Sequence, residues 1–276
     1  MKFLHKLFGA TRSVAMVSIV IFSWMTPLAL SCDTTTQDDK TAQTDSTETS
    51  QNNLNNTPNF EQKGLIRLSK EDQVWIDLQR KLVVVEGKVC LRKGQLEMFA
   101  CPKQTKEHES IVAVNSKAYV IHTALLAVGA KAGSPVKFVP KYEVAQGPKV
   151  TILVTWLDAK GKRQKMRAQE WIKNVKTKRT MSEHWVFAGS GFWTDETTGE
   201  QWYYAEGGEL ICVSNFPSAL LDIPIKSSDG ADQLLFEAYT ENIPPQGTRV
   251  HLVLKPEAKK STTSLEPDKH KGENSP

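Results

Sequence analysis

Four side chains suited to metal binding or acid–base chemistry lie in two short segments of the sequence. Cys101 and His108 stand seven residues apart, Glu109 follows directly, and Cys212 lies in a later segment. Zinc accepts sulfur, nitrogen and oxygen donors, so Cys101, His108 and Cys212 form a candidate zinc site with Glu109 as a candidate base. The zinc-protease pattern H-E-x-x-H is incomplete, because Val112 occupies the position of the second histidine. The alternative is a structural loop whose histidine and glutamates bind backbone groups.

The cysteines also bear on redox chemistry. An exported domain meets an oxidising compartment, where disulfides persist. Cys90 and Cys101 lie on two runs that we expect to pair as a hairpin, which makes them the candidate disulfide. We favour the alternative, that all three domain cysteines are small buried hydrophobic residues, because cysteines in paired strands often have Cβ directions that do not suit a bridge.

Residues 185–204 contain two further patterns. Ser190 is directly flanked by glycines between strand-like runs, which does not match the G-x-S-x-G turn of hydrolases, so no serine nucleophile is predicted. Aromatic rings in this region either fill the core or, at alternate strand positions, form an exposed platform for a glycan, and core packing is favoured. These rings are Trp185, Phe187, Phe192, Trp193, Trp202, Tyr203 and Tyr204. No catalytic residue is predicted, because no catalytic constellation is complete.

The elements that must position these residues are mostly β-strands. Runs of β-branched and aromatic residues predict strands over 74–76, 82–91, 96–100, 136–139 and 248–254, a hairpin of 149–158 with 162–167, and three extended runs within 184–215. The clearest helix covers 116–128, with Ser116 as N-cap and Gly129 closing it, and a short second helix covers 168–172. The predicted fold class is therefore α+β, mostly antiparallel.

The first 32 residues have the three-part pattern of an export signal. Basic residues precede an apolar run over 14–25, and small residues stand before the cleavage position, which predicts a signal peptide over 1–31. An uncleaved membrane anchor is the alternative, since the uncharged stretch 13–32 is just long enough to span a bilayer. Residues 28–32 resemble the lipobox of bacterial lipoproteins, so acylation of Cys32 is predicted. Ordinary cleavage before an unmodified Cys32 is the other reading.

Composition divides the rest of the chain. Residues 32–59 are a polar tether, and their lack of apolar groups predicts disorder. Residues 60–256 are predicted to form one globular domain, and residues 257–276 are a polar tail. Removing the three leader cations from the net charge of +4 leaves about +1, which argues against a nucleic-acid binder. Nine Lys and Arg residues nevertheless concentrate in 160–179. They form either a solvated face or a contact with anionic headgroups or cell-wall polymers.

Three separated segments carry a family resemblance. FACPKQTKEHES at 99–110, WVFAGSGF at 185–192 and ICVSNFP at 211–217 together resemble the YdjY-like domain family of bacterial exported proteins, over about residues 73–256. The resemblance implies no particular reaction, because no activity is established for the family. Family names that mention ferredoxin would imply an iron–sulfur cluster. That cluster is disfavoured here, because bacterial cluster sites use closely spaced cysteines and this chain has no C-x-x-C.

Together these patterns predict an exported, lipid-anchored protein of the cell envelope with a non-catalytic binding or scaffold domain. Its expected partners are the membrane, reached through N-terminal acyl chains, and anionic headgroups or a cell-wall glycan. No cofactor is predicted, with zinc as the alternative. The competing hypothesis is a metal-dependent enzyme or redox protein built on Cys101, His108 and Cys212.

Overall fold

The computed structural model describes residues 64–226 and 234–257 of the chain. The predicted signal peptide, Cys32, the tether and all but the first residue of the tail lie outside this part. Its strands are β1 (Ile66–Arg67), β2 (Val74–Asp77), β3 (Leu82–Val89), β4 (Met98–Pro102), β5 (Ser110–Val114), β6 (Lys149–Leu157), β7 (Arg163–Arg167), β8 (Ile172–Asn174), β9 (Trp185–Phe187), β10 (Phe192–Thr194), β11 (Gln201–Tyr203), β12 (Ile211–Cys212), β13 (Leu221–Asp222), β14 (Phe236–Ala238) and β15 (Arg249–Pro256).

Eight of these strands close into a β-barrel. Around the barrel the order is β3, β15, β6, β9, β13, β12, β4 and β5, and β5 pairs back onto β3. Closure requires β3 to change partners along one edge, because residues 82–85 pair with β2 and residues 87–89 pair with β5. Gly87 stands at this change, where an added Cβ would lie 2.7 Å from the carbonyl oxygen of Ala113. A side chain at this position would therefore push β3 and β5 apart.

The predicted α+β class is wrong, since the described residues are mostly β, with 38% of them in strands and 11% in helices. The described residues contain one α-helix, α1 (Ala118–Ala127). The second predicted helix is only a 3-10 turn at Ala168–Trp171 that leads into β8. A segment this short cannot offset the cost of nucleating an α-helix. No helix among the described residues is both long enough and apolar enough to cross a membrane.

Two strand predictions also need correction. Residues 136–139 form no strand, and only an isolated bridge joins Lys137 to Glu143. The predicted hairpin of 82–91 with 96–100 does not form, because β5 lies between β3 and β4 and pairs with β4 in parallel. The hairpin of β6 and β7 is confirmed, with Leu157 opposite Arg163 and Leu153 opposite Arg167.

Helix α1 packs on β2 and β3 through an apolar face. Its C-terminus is as predicted, because Gly129 has φ +92° and the amide of Ala130 donates to the carbonyl of Leu125, which is a Schellman motif. Its N-terminus differs from the prediction. Ser116 accepts a hydrogen bond from the amide of Gln73 instead of capping the helix, and the Asp72 carboxylate accepts the Lys117 amide at 2.8 Å.

Candidate functional site

The three segments that carry the family resemblance come together on one side of the barrel. They contribute β4, β9 and β12, and only β13 separates β9 from β12. The indole nitrogen of Trp185 donates to the Cys212 carbonyl at 2.7 Å, and the Trp185 and Phe99 rings are 5.8 Å apart. All three of these residues are fully buried. Much of the family pattern therefore maintains the barrel core.

The structure does not bring the candidate metal ligands together. Cys101 and Cys212 are fully buried, whereas the His108 side chain is 75% exposed. Cys212 packs with Met98 and Ala219 in an apolar cluster. Across residues 64–226 and 234–257, no group of three or more His, Cys, Asp or Glu residues is arranged to hold a metal ion. Burial raises the pKa of both thiols, which disfavours the thiolate that a metal would need.

The candidate Cys90–Cys101 disulfide does not form, and both residues are free thiols. Cys90 follows β3 and Cys101 lies in β4, so β5 separates them. Two strand spacings amount to roughly 9–10 Å, which exceeds the Cα separation that a disulfide allows. Burial raises the pKa of Cys90 to about 12. The correction follows directly from the hairpin that does not form.

Glu109, the candidate base, lies in a half-buried charge cluster. The ammonium of Lys106 is 3.1 Å from Glu209, 3.3 Å from Glu109 and 3.8 Å from Glu97. Burial and the neighbouring Glu109 carboxylate raise the pKa of Glu97. Burial opposes the charged form of Lys106, but the carboxylates of Glu209 and Glu109 outweigh it and raise its pKa. Lys106 forms ion pairs with all three acids, so the cluster connects the segments that contain Glu97, Lys106–Glu109 and Glu209.

Exposed aromatic rings are concentrated on β10 and β11, which pair with each other in a small separate sheet. We call residues 192–204 the aromatic ribbon. Its exposed rings are Phe192 (61%), Trp193 (47%), Trp202 (57%) and Tyr204 (46%). Trp193 is directly opposite Trp202, so both indoles stand on the same face of the ribbon. The expectation that core packing would account for the aromatic residues therefore holds for Trp185 and Phe187, but fails for these four.

Tyr203 anchors the ribbon to the body of the protein. It is 7% exposed, and its hydroxyl lies 2.7 Å from Nδ1 of His122 and donates to the Gly189 carbonyl at 3.1 Å. The Phe192 ring rests against it at 5.1 Å. Burial raises the pKa of Tyr203 and lowers that of His122, so both groups are held neutral. No local pattern could predict this contact, because 81 residues separate its two rings.

Ser190 has a positive φ of 56°, which is unusual for a serine. Its hydroxyl donates to the Ser218 carbonyl at 2.6 Å, and its amide donates to the Ala219 carbonyl. The hydroxyl proton therefore points at a carbonyl that cannot act as a base. The arrangement joins the start of the ribbon to residues 218–219 and supports the sequence argument against a serine nucleophile.

A cleft of about 520 Å³ opens beside the N-terminus of α1. Glu71, Lys103 and Lys117 contribute charges of both signs to its wall. The carboxylates of Asp72 and Glu206 occupy the helix terminus, where they accept the amides of Lys117 and Tyr119. This leaves little positive potential for an external anion.

A buried carboxyl group lies beside the Cys212 strand. Asp222 is fully buried in β13, where one oxygen accepts the Ile223 amide at 2.8 Å and the Asn215 side-chain amide at 3.3 Å. Burial raises the pKa of Asp222 to about 7, against the lowering effect of hydrogen bonds from the Ile223 amide, the Asn215 side chain and the Phe216 backbone.

Cations cover the hairpin of β6 and β7 and the turn beyond it. We call residues 160–179 the basic hairpin. Nearly all of its cationic side chains are exposed, and Lys173 and Lys178 form ion pairs with Glu237. On β7, Arg163, Lys165 and Arg167 alternate with half-buried residues. A solvated face and a contact surface for an anionic partner would both expose these cations. Their exposure therefore does not distinguish the two alternatives.

These features define a closed β-barrel domain with an anchored, exposed aromatic ribbon. The chain belongs to the YdjY domain family, whose model matches residues 74–255, which confirms the resemblance carried by the three segments. No curated protein and no solved structure matches the chain.

Proposed function

We propose that this chain is a lipoprotein of the bacterial cell envelope whose YdjY domain acts as a non-catalytic binding or scaffold domain. The leader pattern and the lipobox-like residues 28–32 support export and acylation at Cys32. The tether at 32–59 then holds the domain near a membrane. The aromatic ribbon is the surface through which the domain contacts its partner.

The observation that carries this proposal is the exposure of four aromatic rings on one anchored element. Tryptophan and tyrosine are enriched where proteins bind partners, because they bury a large area at a small cost in side-chain entropy. The contact of Tyr203 with His122 reduces that cost further, since the ribbon is already positioned. The competing metal-dependent function has no comparable support among the described residues.

Charge narrows the kind of partner. Residues 185–210 contain five acidic residues and no Lys or Arg. An anionic headgroup would be repelled by this segment, so the ribbon suits a neutral glycan or a cationic protein surface. Anionic headgroups or anionic wall polymers suit the basic hairpin instead.

Site-specific photo-crosslinking tests the ribbon as a contact surface. A benzophenone amino acid replaces Trp202 in one variant and Phe138, a 37% exposed ring outside the ribbon, in a control variant. We expect adducts in intact envelopes from position 202 and not from position 138. Equal adducts from both positions, or none from position 202, would contradict the proposal.

Acylation has its own test. Mass spectrometry of the mature N-terminus should find an acylated Cys32, and Cys32→Ser should move the protein from the detergent phase to the aqueous phase. An unmodified N-terminal cysteine, or a Cys32→Ser protein that stays in the detergent phase, would refute the lipid anchor.

A further inference from the structure

The domain has two exposed surfaces of opposite charge. The aromatic ribbon has three acidic residues and no basic residue, whereas the basic hairpin has nine basic residues and one acidic residue. The near-neutral net charge of the mature chain therefore includes two segments of opposite charge. Such a distribution favours head-to-tail attraction between copies more than an even mixture of charges does.

Much of the charge on each surface is not neutralised within the described chain. At the tip of the ribbon, neither Glu196 nor Glu200 forms an ion pair with a described Lys or Arg, and the same holds for Lys165 and Arg167 on β7. No ion pair joins the ribbon to the basic hairpin within residues 64–226 and 234–257. Both surfaces are thus available to another molecule.

Their side-chain chemistry is also complementary. Arginine and lysine bind favourably over the faces of tryptophan rings, and the ribbon exposes Trp193 and Trp202 side by side. Strand β7 pairs with β6 alone, so it is an edge strand. Cations on an edge strand discourage pairing with like-charged neighbours, and they leave an acidic surface as the favoured partner.

We propose that the aromatic ribbon of one molecule docks against the basic hairpin of a second copy. The contact is heterologous, because two different surfaces meet and each molecule keeps one surface of each kind. This inference rests on the proposed function, since it names the partner of the ribbon. A shared membrane anchor would raise the local concentration of copies and strengthen the contact.

Sedimentation of complementary variants tests the inference, using the exported chain with Cys32→Ser so that no acyl chain contributes. We expect the parent protein to self-associate in a concentration-dependent manner. Raising salt from about 0.05 M to about 0.5 M should weaken this association by about tenfold. The ribbon variant Trp193→Ala/Trp202→Ala and the hairpin variant Lys165→Glu/Arg167→Glu should each be monomeric.

Mixing the two variants gives the sharper result. The hairpin variant keeps an intact ribbon and the ribbon variant keeps an intact hairpin, so an equal mixture should form 1:1 heterodimers and nothing larger. Lys131→Glu/Lys141→Glu, which makes the same charge change at two exposed lysines elsewhere, should associate like the parent. Unchanged far-ultraviolet circular dichroism verifies that each variant is folded.

Three outcomes would overturn the inference: a monomeric parent protein, a mixture that stays monomeric, or variants that associate as the parent does. These outcomes are distinct from failure of the proposed function. If position 202 crosslinks in envelopes but its adducts do not have the mass of two chains, the ribbon binds another partner and only the inference fails. If position 202 gives no adduct, the proposed function fails first.

Discussion

The buried carboxyl of Asp222 makes a quantitative prediction about stability. Its unfolded-state pKa is near 3.8 and burial raises the folded-state pKa to about 7. The folded state therefore binds this proton more tightly than the unfolded state does. The contribution of the group is fully present below pH 4, declines as pH rises, and is lost once pH exceeds about 7.

Asp222→Asn should remove this dependence, because an amide has nearly the shape of the protonated carboxyl and does not ionise. The difference between the two pKa values corresponds to about 4 kcal/mol of unfolding free energy. Relative to wild type, the variant should therefore gain about 4 kcal/mol in stability between pH 4 and pH 8. Each pH unit within that range contributes about 1.4 kcal/mol.

Urea denaturation followed by tryptophan fluorescence measures this at pH 4, 5.5, 7 and 8. Only the difference between variant and wild type is interpreted, so titration of other groups such as His251 cancels. Asp195→Asn is the matched control with the opposite sign. Amides of Thr198 and Thr197 lower the pKa of Asp195, so its stabilising effect is present above the unfolded pKa and is lost in acid. A difference for Asp222→Asn that stays constant with pH would refute the reasoning.

Three further substitutions test the fold and the ribbon. Tyr203→Phe removes the hydroxyl that binds His122, so it should lower the free energy of unfolding in urea by about 1–2 kcal/mol. Amide hydrogen exchange in the ribbon should also increase, and unchanged exchange would contradict the anchoring role of Tyr203. Gly87→Ala places a Cβ against the Ala113 carbonyl and should lower the free energy of unfolding by about 1–3 kcal/mol. Gly94→Ala is the control, because Gly94 has a positive φ and open space around it, so this variant reports backbone strain alone. Lys106→Met leaves the half-buried carboxylates without their cation, so it should lower the free energy of unfolding more at pH 8 than at pH 4. Equal losses of stability at both pH values would exclude repulsion between the carboxylates as the cause.

The elements that sequence patterns predicted correctly are those with local causes. The hairpin of β6 and β7 follows from two alternating runs around Gly161, and the end of α1 follows from Gly129. Even there, the start of α1 was misassigned. The Asp72 carboxylate accepts the amide of the N-cap residue Lys117 from 45 residues away, and Glu206 accepts the Tyr119 amide from 87 residues away. No local pattern reports such partners.

Barrel closure could not be predicted for the same physical reason. The runs at 82–91 and 96–100 look like a hairpin because they are close in sequence, yet β5 inserts between them. Which strands become neighbours depends on burying both faces of the complete sheet, a property of the whole chain. The candidate disulfide between Cys90 and Cys101 depended on that pairing.

The aromatic surface shows a related limit. Alternation along a strand indicates that rings on opposite faces have different environments, but it cannot say whether a strand belongs to the barrel or leaves it. Trp185 and Phe187 lie in β9 and are buried, whereas Trp193 and Trp202 lie on a pair of strands outside the barrel and are exposed. The segment between them, with Gly199 at a positive φ, is the local sign of a turn.

The net charge of the chain does not describe its local surface charge. A mature charge near +1 is the sum over the whole chain, so it averages over two regions of opposite sign. Because electrostatic attraction falls off over about 10 Å at moderate salt, a partner responds to the local surface and not to the sum. The basic hairpin and the acidic, aromatic ribbon therefore differ in local charge, and charge reversal at either one should change association in a way that net charge alone does not predict.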